Sequence, residues 1–395
     1  MFVQGRDMRR TFEFRLYPKP EQEAALLKTL GLCQNLYNAM LWQRQMAWSR
    51  QMKLSRFDQE RQLSELRQEN PDYGAVYTHV LQDVARRLDL AFKAFFRRCK
   101  AGEKPGYPRF RARDRYDSIT FKEPSNGSVR ISGNRVSFSK VVENVRCFFH
   151  RPLLGTVAAV TVKRRASGWY VLFSCDDVPK DETLVHGTGE VGVDVGVTTF
   201  ATLSTGETIK NPKFIKNAEV RLVAAQQRVS RCIRGSNRRR KARHLLALQW
   251  EHVTNQRKDF CFKTARRIVE RFGAVAVEDL DIKEMMVQHG KGKRALHRSI
   301  ADASWARFIA ALEQKAEDAA ALFAKVEPRG TTQDCSGCGA VVPKELWVRT
   351  HSCPGCGLVL GRDYNAALNI LDRARTEPSW RERSVAPVET RSPCL

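Results

Sequence analysis

The chain has 395 residues, with 68 Lys and Arg against 43 Asp and Glu, a formal charge of +25 and an isoelectric point near 9.9. A hydrophobic content of 42% excludes a mostly disordered or collagen-like polymer, and the length suits roughly two to four domains. So large a positive excess points to a polyanionic partner, a nucleic acid in preference to a membrane surface.

The stretch Met1–Phe14 is charged and no apolar run follows it, so no signal peptide is expected. Apolar runs such as Trp169–Cys175 are far shorter than the ~20 residues that cross a bilayer. The expectation is a cytoplasmic, nucleoid-associated protein with no membrane partner. Thr11–Tyr17 alternates as a strand, with Phe12, Phe14 and Leu16 on one face, and stops at Pro18-Lys-Pro20. From Glu21 to Lys100 apolar residues recur every three or four positions, from Leu26 to Leu41 and again from Val80 to Phe96, which predicts several helices. Ala101–Pro108, rich in Gly and Pro, closes that block.

Short strands follow: Ser118–Phe121, Val129–Ile131, Val136–Phe138, Val145–Phe149, Val157–Val162 and Tyr170–Ser174, separated by turns such as Ser125-Asn-Gly127. The first strand is expected to join this β unit, with the helices inserted between. After a polar linker, Asp177–Glu190, the texture becomes α/β. Val191–Val195, Thr199–Leu203 and Ala274–Glu278 read as strands, and about Asp302 to Phe323 as one helix. A last helix is expected from Tyr364 to about Ala374. Between Lys210 and Arg271 there are 18 Lys and Arg but 4 Asp and Glu, a net +14 in a helical segment suited to lie against phosphates.

Three carboxylates stand out. Asp194 lies in the apolar run Val191-Gly-Val-Asp-Val-Gly-Val197, where a buried charge needs compensation and a metal ion is one source. Glu278 ends Ala274-Val-Ala-Val-Glu278, and Asp363 opens the last helix. Such a set suits two divalent ions, Mg²⁺ by donor chemistry, in phosphodiester hydrolysis. Taken singly, Asp194 could cap a turn, Glu278 could pair with an Arg, and Asp363 could be an N-cap. Asp279 competes with Glu278, although strand alternation points it to the opposite face.

Of 11 cysteines, Cys335-x₂-Cys338 and Cys353-x₂-Cys356, with 14 residues between the pairs, match a four-thiolate Zn²⁺ ribbon. Gly339 and Gly357 follow the pairs where a knuckle turn needs a permissive backbone. With four protein ligands the ion is structural, and the other seven cysteines read as free thiols. His289 and His297 fall in Gln288–Arg298, expected as a mobile basic loop. The absence of Gly-x₄-Gly-Lys and Gly-x-Ser-x-Gly argues against an NTPase or a serine hydrolase.

Nearly end to end, the chain resembles the TnpB (OrfB-type) transposon-encoded RNA-guided endonucleases, relatives of miniature type V CRISPR effectors. The likeness is carried by Arg15-Leu-Tyr-Pro18, Ala91-Phe-Lys-Ala-Phe-Phe96, Gly106-Tyr-Pro-Arg-Phe-Arg111, Gly192-Val-Asp-Val-Gly196 and Asn255-x-Arg257-x-Asp259-Phe260. Val277-Glu-Asp-Leu280, Thr332-Gln-Asp-Cys-Ser-Gly-Cys-Gly339 and Arg362-Asp-x-Asn-Ala-Ala-x-Asn369 complete it. One departure is Gly361, where members often have Asp.

The resemblance implies a multidomain α+β protein. A RuvC-like (RNase H fold) nuclease domain would span 181–330, including the basic segment 210–271. It would hold a zinc ribbon at 331–357 and end with the last helix, 358–375. A β-barrel wedge domain would take its first strand from 1–20 and the rest from 114–180, with a helical recognition domain at 21–113. The tail 376–395 has no family pattern to carry over and is expected to be disordered from its Pro, Ser and Arg content. The resemblance implies Asp194, Glu278 and Asp363 as the Mg²⁺-binding catalytic triad, Cys335, Cys338, Cys353 and Cys356 as Zn²⁺ ligands, and Arg329 and Asn369 as active-site supports. Gln82 matches a position that reads a short motif beside the target, with Phe57 and Arg61 near other such positions. The partners would be a guide RNA and double-stranded target DNA, with the protein a monomer. A transposase, or a guided DNA-binding regulator that does not cut, are the alternatives.

Overall fold

The computed structural model describes residues 8–112, 115–180, 183–287, 293–345, 347–378 and 380, and the chain divides into two compact units, Met1–Pro179 and Lys180–Leu395. In the first unit a strand, β1 (Met8–Tyr17), is followed by four helices: α1 (Pro20–Ser49), α2 (Arg56–Glu69), the single turn α3 (Pro71–Gly74) and α4 (Thr78–Lys100). Six strands come next: β2 (Ser118–Lys122), β3 (Val129–Ser132), β4 (Arg135–Phe138), β5 (Val142–Phe148), β6 (Thr156–Arg165) and β7 (Gly168–Val178). They form one antiparallel, nearly closed sheet in the order β2-β6-β7-β1-β5-β4-β3. The first strand lies between β7 and β5, with Phe12 opposite Phe173 and Arg15 opposite Phe148, so the helices are an insertion into the sheet.

Alternation explains the interior. Phe12, Phe14 and Leu16 of β1 and Trp169, Val171, Phe173 and Cys175 of β7 all point inward and are buried. The same core continues into the helices through Leu26, Leu30, Leu36 and Leu41 of α1 and Val80, Leu81, Val84 and Leu88 of α4. A buried carboxylate, Asp83, ties α4 to the sheet. It receives Arg87 Nε at 2.6 Å, and the same guanidinium donates to the Ser118 carbonyl at 3.0 Å and Thr120 Oγ1 at 2.7 Å on β2.

In the second unit the strands are β8 (Glu190–Val195), β9 (Thr199–Leu203), β10 (Thr208–Lys210), β11 (Ala274–Glu278) and β12 (Leu322–Val326), in the order β10-β9-β8-β11-β12. β8, β9 and β10 are antiparallel neighbours, whereas β11 runs parallel to both β8 and β12. Helices α5 (Phe214–Arg231) and α6 (Asn237–Arg271) lead into β11, and α7 (Ile282–Val287), α8 (Lys293–Ala303) and α9 (Trp305–Asp318) lead to β12. The hairpin β13 (Thr350–Ser352) and β14 (Val359–Gly361) precedes the last helix, α10 (Arg362–Thr376).

Three expectations are corrected here. The helix expected from Asp302 to Phe323 breaks at Ser304 (φ +58°), ends at Asp318, and gives way after Ala320 (φ +57°) to the strand β12. The run Ala319-Ala-Ala321 has high helix propensity and no Gly or Pro, so only pairing with the distant β11 reveals that strand. Of the expected loop Gln288–Arg298, residues 293–298 are the first turns of α8, His297 among them, while 288–292, including His289, lie outside the described residues. The expected tail is anchored at one point: Trp380 is buried, its Nε1 donating to Glu190 Oε1 at 2.7 Å. Residues 379 and 381–395 lie outside the described residues.

The sheet of the second unit is covered on both faces. Val191 and Val193 of β8 and Val275 and Val277 of β11 pack with Cys261, Ala265 and Ile268 of α6 and Phe308 and Leu312 of α9. The alternate residues Ala274 and Ala276 face Ile370, Leu371 and Ala374 of α10. On that face Gly192 lets the helix approach: a Cβ there would stand 2.1 Å from the Ala367 carbonyl and 2.8 Å from the Leu371 nitrogen. Because backbone cannot yield as a side chain can, Gly192→Ala should push α10 off the sheet at a cost of about 1–3 kcal/mol. At about 2–4 °C per kcal/mol, thermal unfolding will register this as a fall in Tm of several degrees.

Candidate active site and metal centre

Strand period and helix placement bring the three carboxylates to one face. Asp194 follows Gly192 by two residues, and Glu278 follows Ala276 by two, so both point toward α10 rather than into the core on the far side. The parallel register sets Val193 beside Val277, which places Asp194 and Glu278 on adjacent strand ends. Asp363 enters from the second residue of α10, whose N-cap is Gly361, so it is not the N-cap. Asp279 is exposed, and its backbone N–H pairs with the Val326 carbonyl at 2.8 Å.

The electrostatics record that convergence. Burial, then the nearby Glu278 and Asp363, hold the Asp194 carboxyl well above the usual carboxylate range, against the opposing pull of Arg362 and Arg349. Burial also raises Glu278, offset in part by a hydrogen bond from Thr331 and by Arg373. Thr331 Oγ1 lies 2.5 Å from Glu278 Oε1. Asp363 is more open, with Arg349 Nη1 at 3.7 Å from its Oδ1. Arg349 is delivered by the β13–β14 ladder, where Arg362 N–H donates to the Arg349 carbonyl at 2.8 Å, and it also donates to Thr198 Oγ1 at 3.3 Å. The three acids share a face, but among the described residues only the cysteine quartet has its ligand atoms all within 4.8 Å of one another. Carboxylate oxygens are the donors that a hard divalent cation takes.

The expected supports are placed differently from one another. Asn369 is buried, and its Nδ2 donates to the carbonyls of Thr331 and Asp334, each at 2.8 Å. Arg329 is exposed; its carbonyl accepts from Arg373 at 2.7 Å, while Thr331, two residues on, reaches Glu278. Thr331 and Arg349 were not found from the sequence. No spacing sets either apart from its neighbours: Thr331 is one of two adjacent threonines and Arg349 one of several cations around the cysteines.

Cys335, Cys338, Cys353 and Cys356 have their sulfurs within 4.8 Å of one another, with Cys335–Cys356 and Cys338–Cys353 each at 3.6 Å. A thiolate tetrahedron at a Zn–S distance of ~2.3 Å has edges of ~3.8 Å, whereas a disulfide would need ~2.05 Å. Gly339 (φ +75°) and Gly357 (φ +74°) turn both knuckles, donating to the Cys335 and Cys353 carbonyls at 2.8 and 2.9 Å. Backbone N–H groups of Cys356 and Gly355 draw the Cys353 thiol down to about 6, which favours the thiolate that a metal requires. The quartet could hold a structural metal such as zinc. Of the other thiols, Cys33, Cys147, Cys175 and Cys261 are buried, but Cys99 is exposed and Cys232 half-buried; Cys394 lies outside the described residues.

Charge outside these centres concentrates in two places. The 35-residue helix α6, about 52 Å long at ~1.5 Å per residue, packs beside α5 and carries the exposed cations Arg238, Arg240, Lys241 and Arg243. Near its C-terminal half an open groove of about 620 Å³ is lined by Phe214, Gln256, Phe260, Lys263 and Arg267. In the first unit, half-buried Gln82 lies one turn before Arg86 on α4. Lys122 of β2 is shifted downward by partial burial and by Arg86 and Arg56, with Asp83 and Glu60 opposing. Exposed Phe57 lies under the Arg56 guanidinium at 4.6 Å, and Arg61 pairs with Asp58 at 3.6 Å.

The raised carboxyls make a stability prediction. An acid whose folded-state affinity for its proton is raised loses stabilising power as pH climbs from the ordinary carboxylate range through its folded value. In metal-free protein, Asp194→Asn should therefore raise Tm near pH 8, with the gain shrinking as pH falls toward the ordinary carboxylate range and vanishing well below it, where Asp194 is protonated in both states. Melting curves of the two proteins across that range check it.

Three family models match successive stretches: "Probable transposase" (OrfB_IS605) at 173–288, "Cas12f1-like, TNB domain" at 305–370 and "Helix-turn-helix domain" (HTH_OrfB_IS605) at 8–53. The last covers β1 and α1, where residues 20–49 form one unbroken helix. A Streptomyces pristinaespiralis protein named as an RNA-guided DNA endonuclease is 34% identical over 92% of this chain and 89% of its own length. An Escherichia coli K12 protein named as the RNA-guided DNA endonuclease InsQ is 26% identical over 83% of each chain. The fold is similar to that of the protein in a cryo-EM structure of a Cas12f1–sgRNA–target DNA complex (TM-score 0.55, 15% identity), over 94% of this chain and 99% of that one. With 34% identity to the Streptomyces protein over 92% of its length, the chain belongs to the OrfB-type TnpB family.

Proposed function

We propose that this protein is an RNA-guided DNA endonuclease that cuts by metal-dependent phosphodiester hydrolysis at Asp194, Glu278 and Asp363. The observation that carries the reading is the convergence of these carboxylates on one sheet face, from β8, β11 and α10. The strand order β10-β9-β8-β11-β12, with three antiparallel strands and then two parallel ones, is in chain order 3-2-1-4-5 and supports a RuvC-like reading of residues 181–330 and 358–375. Residues 331–357 would be its zinc ribbon, 1–20 with 114–180 the wedge, and 21–113 the recognition domain.

In the mechanism, guide RNA pairs with the target strand and supplies sequence specificity, while the protein holds the heteroduplex by shape and backbone charge. The cations of α6 and its groove suit that backbone. Gln82, one turn before Arg86 on α4, would read the target-adjacent motif. Asp194, Glu278 and Asp363 would hold Mg²⁺, which when bound activates water and stabilises the leaving oxygen. Asp194 and Glu278 give fixed, buried oxygens; Asp363, more open, closes the set beside the phosphate. Arg349, held between Thr198 and Asp363, brings a guanidinium to the edge of the site, where it can meet a phosphate oxygen. Zn²⁺ on the four cysteines would hold the hairpin that carries Arg349.

The test is expression with the native flanking DNA, sequencing of the co-purifying RNA, and cleavage of a matched duplex. One discrete structured RNA is expected. Asp194→Ala should abolish cutting while RNA and DNA binding persist; undiminished cutting overturns the triad. Cys353→Ser should release one zinc by elemental analysis and lower cleavage although no cysteine does chemistry; unchanged zinc content overturns the ribbon.

A further inference from the structure

Glu278 sits at a strand end with one hydrogen-bond donor to its carboxylate among the described residues, and that donor is Thr331. Thr331 is 1% exposed, and its hydroxyl has two acceptors in reach, Glu278 Oε1 at 2.5 Å and the Pro328 carbonyl at 3.0 Å. A hydroxyl has one proton to give, and an ionised carboxylate can only accept, so the bond to Glu278 is the one that forms when the acid is ionised. The β-branched side chain has little χ1 freedom, so where its backbone is held, its oxygen is held.

The backbone is held by α10. Asn369 Nδ2 donates to the Thr331 carbonyl at 2.8 Å. One turn earlier, Asn365 donates to the Asp334 carbonyl at 2.8 Å and accepts from Ser336 N–H at 3.0 Å. One turn later, Arg373 donates to the Glu327 carbonyl at 2.6 Å, the Arg329 carbonyl at 2.7 Å and Asp334 Oδ2 at 2.7 Å. Three side chains spaced i, i+4, i+8 thus pin residues 327–336 along one helix face. Within that segment Gly330 (φ +85°) makes a bend in which a Cβ would come 2.7 Å from Asp334 Oδ2. The helix that presents Asp363 therefore also sets Glu278.

We infer that Thr331 is a positioning residue that orients the Glu278 carboxylate toward its metal, its own place set by Asn369 on α10. This rests on the carboxylate reading above. Without the hydroxyl, Glu278 is a buried carboxylate with no donor and is free to take other rotamers. Loss of such an outer partner costs on the order of 10–100-fold in metal affinity or activity.

The test uses the RNA-loaded protein as wild type, Thr331→Val, Thr331→Ala and Thr331→Ser, with Glu278→Gln and Asp194→Ala alongside. Single-turnover cleavage is measured together with Mn²⁺ binding by EPR, subtracting the Glu278→Gln complex to remove RNA-bound metal. T331V and T331A should cleave about 10–100-fold more slowly and bind Mn²⁺ correspondingly more weakly at unchanged zinc content, while T331S stays within a few-fold of wild type. Should T331V not assemble with RNA, T331A against T331S carries the same comparison. Wild-type cleavage and Mn²⁺ binding in T331V or T331A overturn the inference, as does a loss in T331S equal to theirs. If E278Q and D194A cut normally, the carboxylate reading itself fails, a result distinct from the first two.

Discussion

Two acids pressed into the wall of an apolar sheet are the constraint around which the second unit is arranged. Asp194 and Glu278 are each 8% exposed and share their face with a third carboxylate. Such a cluster costs stability whenever it is ionised without a cation. A fold retains that cost where the charge has work to do, and here the surrounding elements act to keep the acids in place rather than to neutralise them. No cation is bonded to Asp194 or Glu278 among the described residues; the nearest guanidinium groups act at a distance or on the more open Asp363.

Helix α10 does most of the arranging. It lies close on β8 because Gly192 has no side chain, and this close approach brings Asp363 to the same face as Asp194. Its Asn365, Asn369 and Arg373 grip the segment that begins beside β12 and ends at Ser336, in the first cysteine knuckle. The four-cysteine hairpin is thereby joined to the carboxylate face twice, through that segment and through Arg349 on its ladder. A structural metal at the quartet would stiffen both connections without touching the carboxylates. The basic arm of α5 and α6 is built on another principle. Buried residues anchor it at Ala218, Leu222 and Val253 and then along Cys261–Val269, while its many cations stay in water, where they can meet phosphates.

How much of this was legible beforehand depends on whether the signal was local. The two knuckles could be read because a four-thiolate site demands a short spacing and a permissive backbone after each pair, and both features lie within five residues. Strand alternation set Glu278 apart from Asp279 because the period of a strand does not depend on what it pairs with, whereas the shared face of Asp194 and Glu278 came from the register of β8 on β11. The strand β12 was hidden, since its five residues follow an alanine run and acquire their conformation from β11, more than 40 residues earlier. Arg349 and Thr331 were equally hidden: Arg349 meets Asp363 and Thr198, 14 and 151 positions away, and Thr331 meets Glu278, 53 positions away.

The sequence alone therefore determined the chemistry on offer: three carboxylates, four thiolates, a basic helical arm and the family motifs that join them. Only the tertiary structure decided how those groups are held. Which residue donates to Glu278, which cation stands by Asp363 and which glycine admits the helix are matters of distance between segments remote in the chain. Composition and period constrain what a segment can become, whereas contact between segments is fixed only when the whole fold closes.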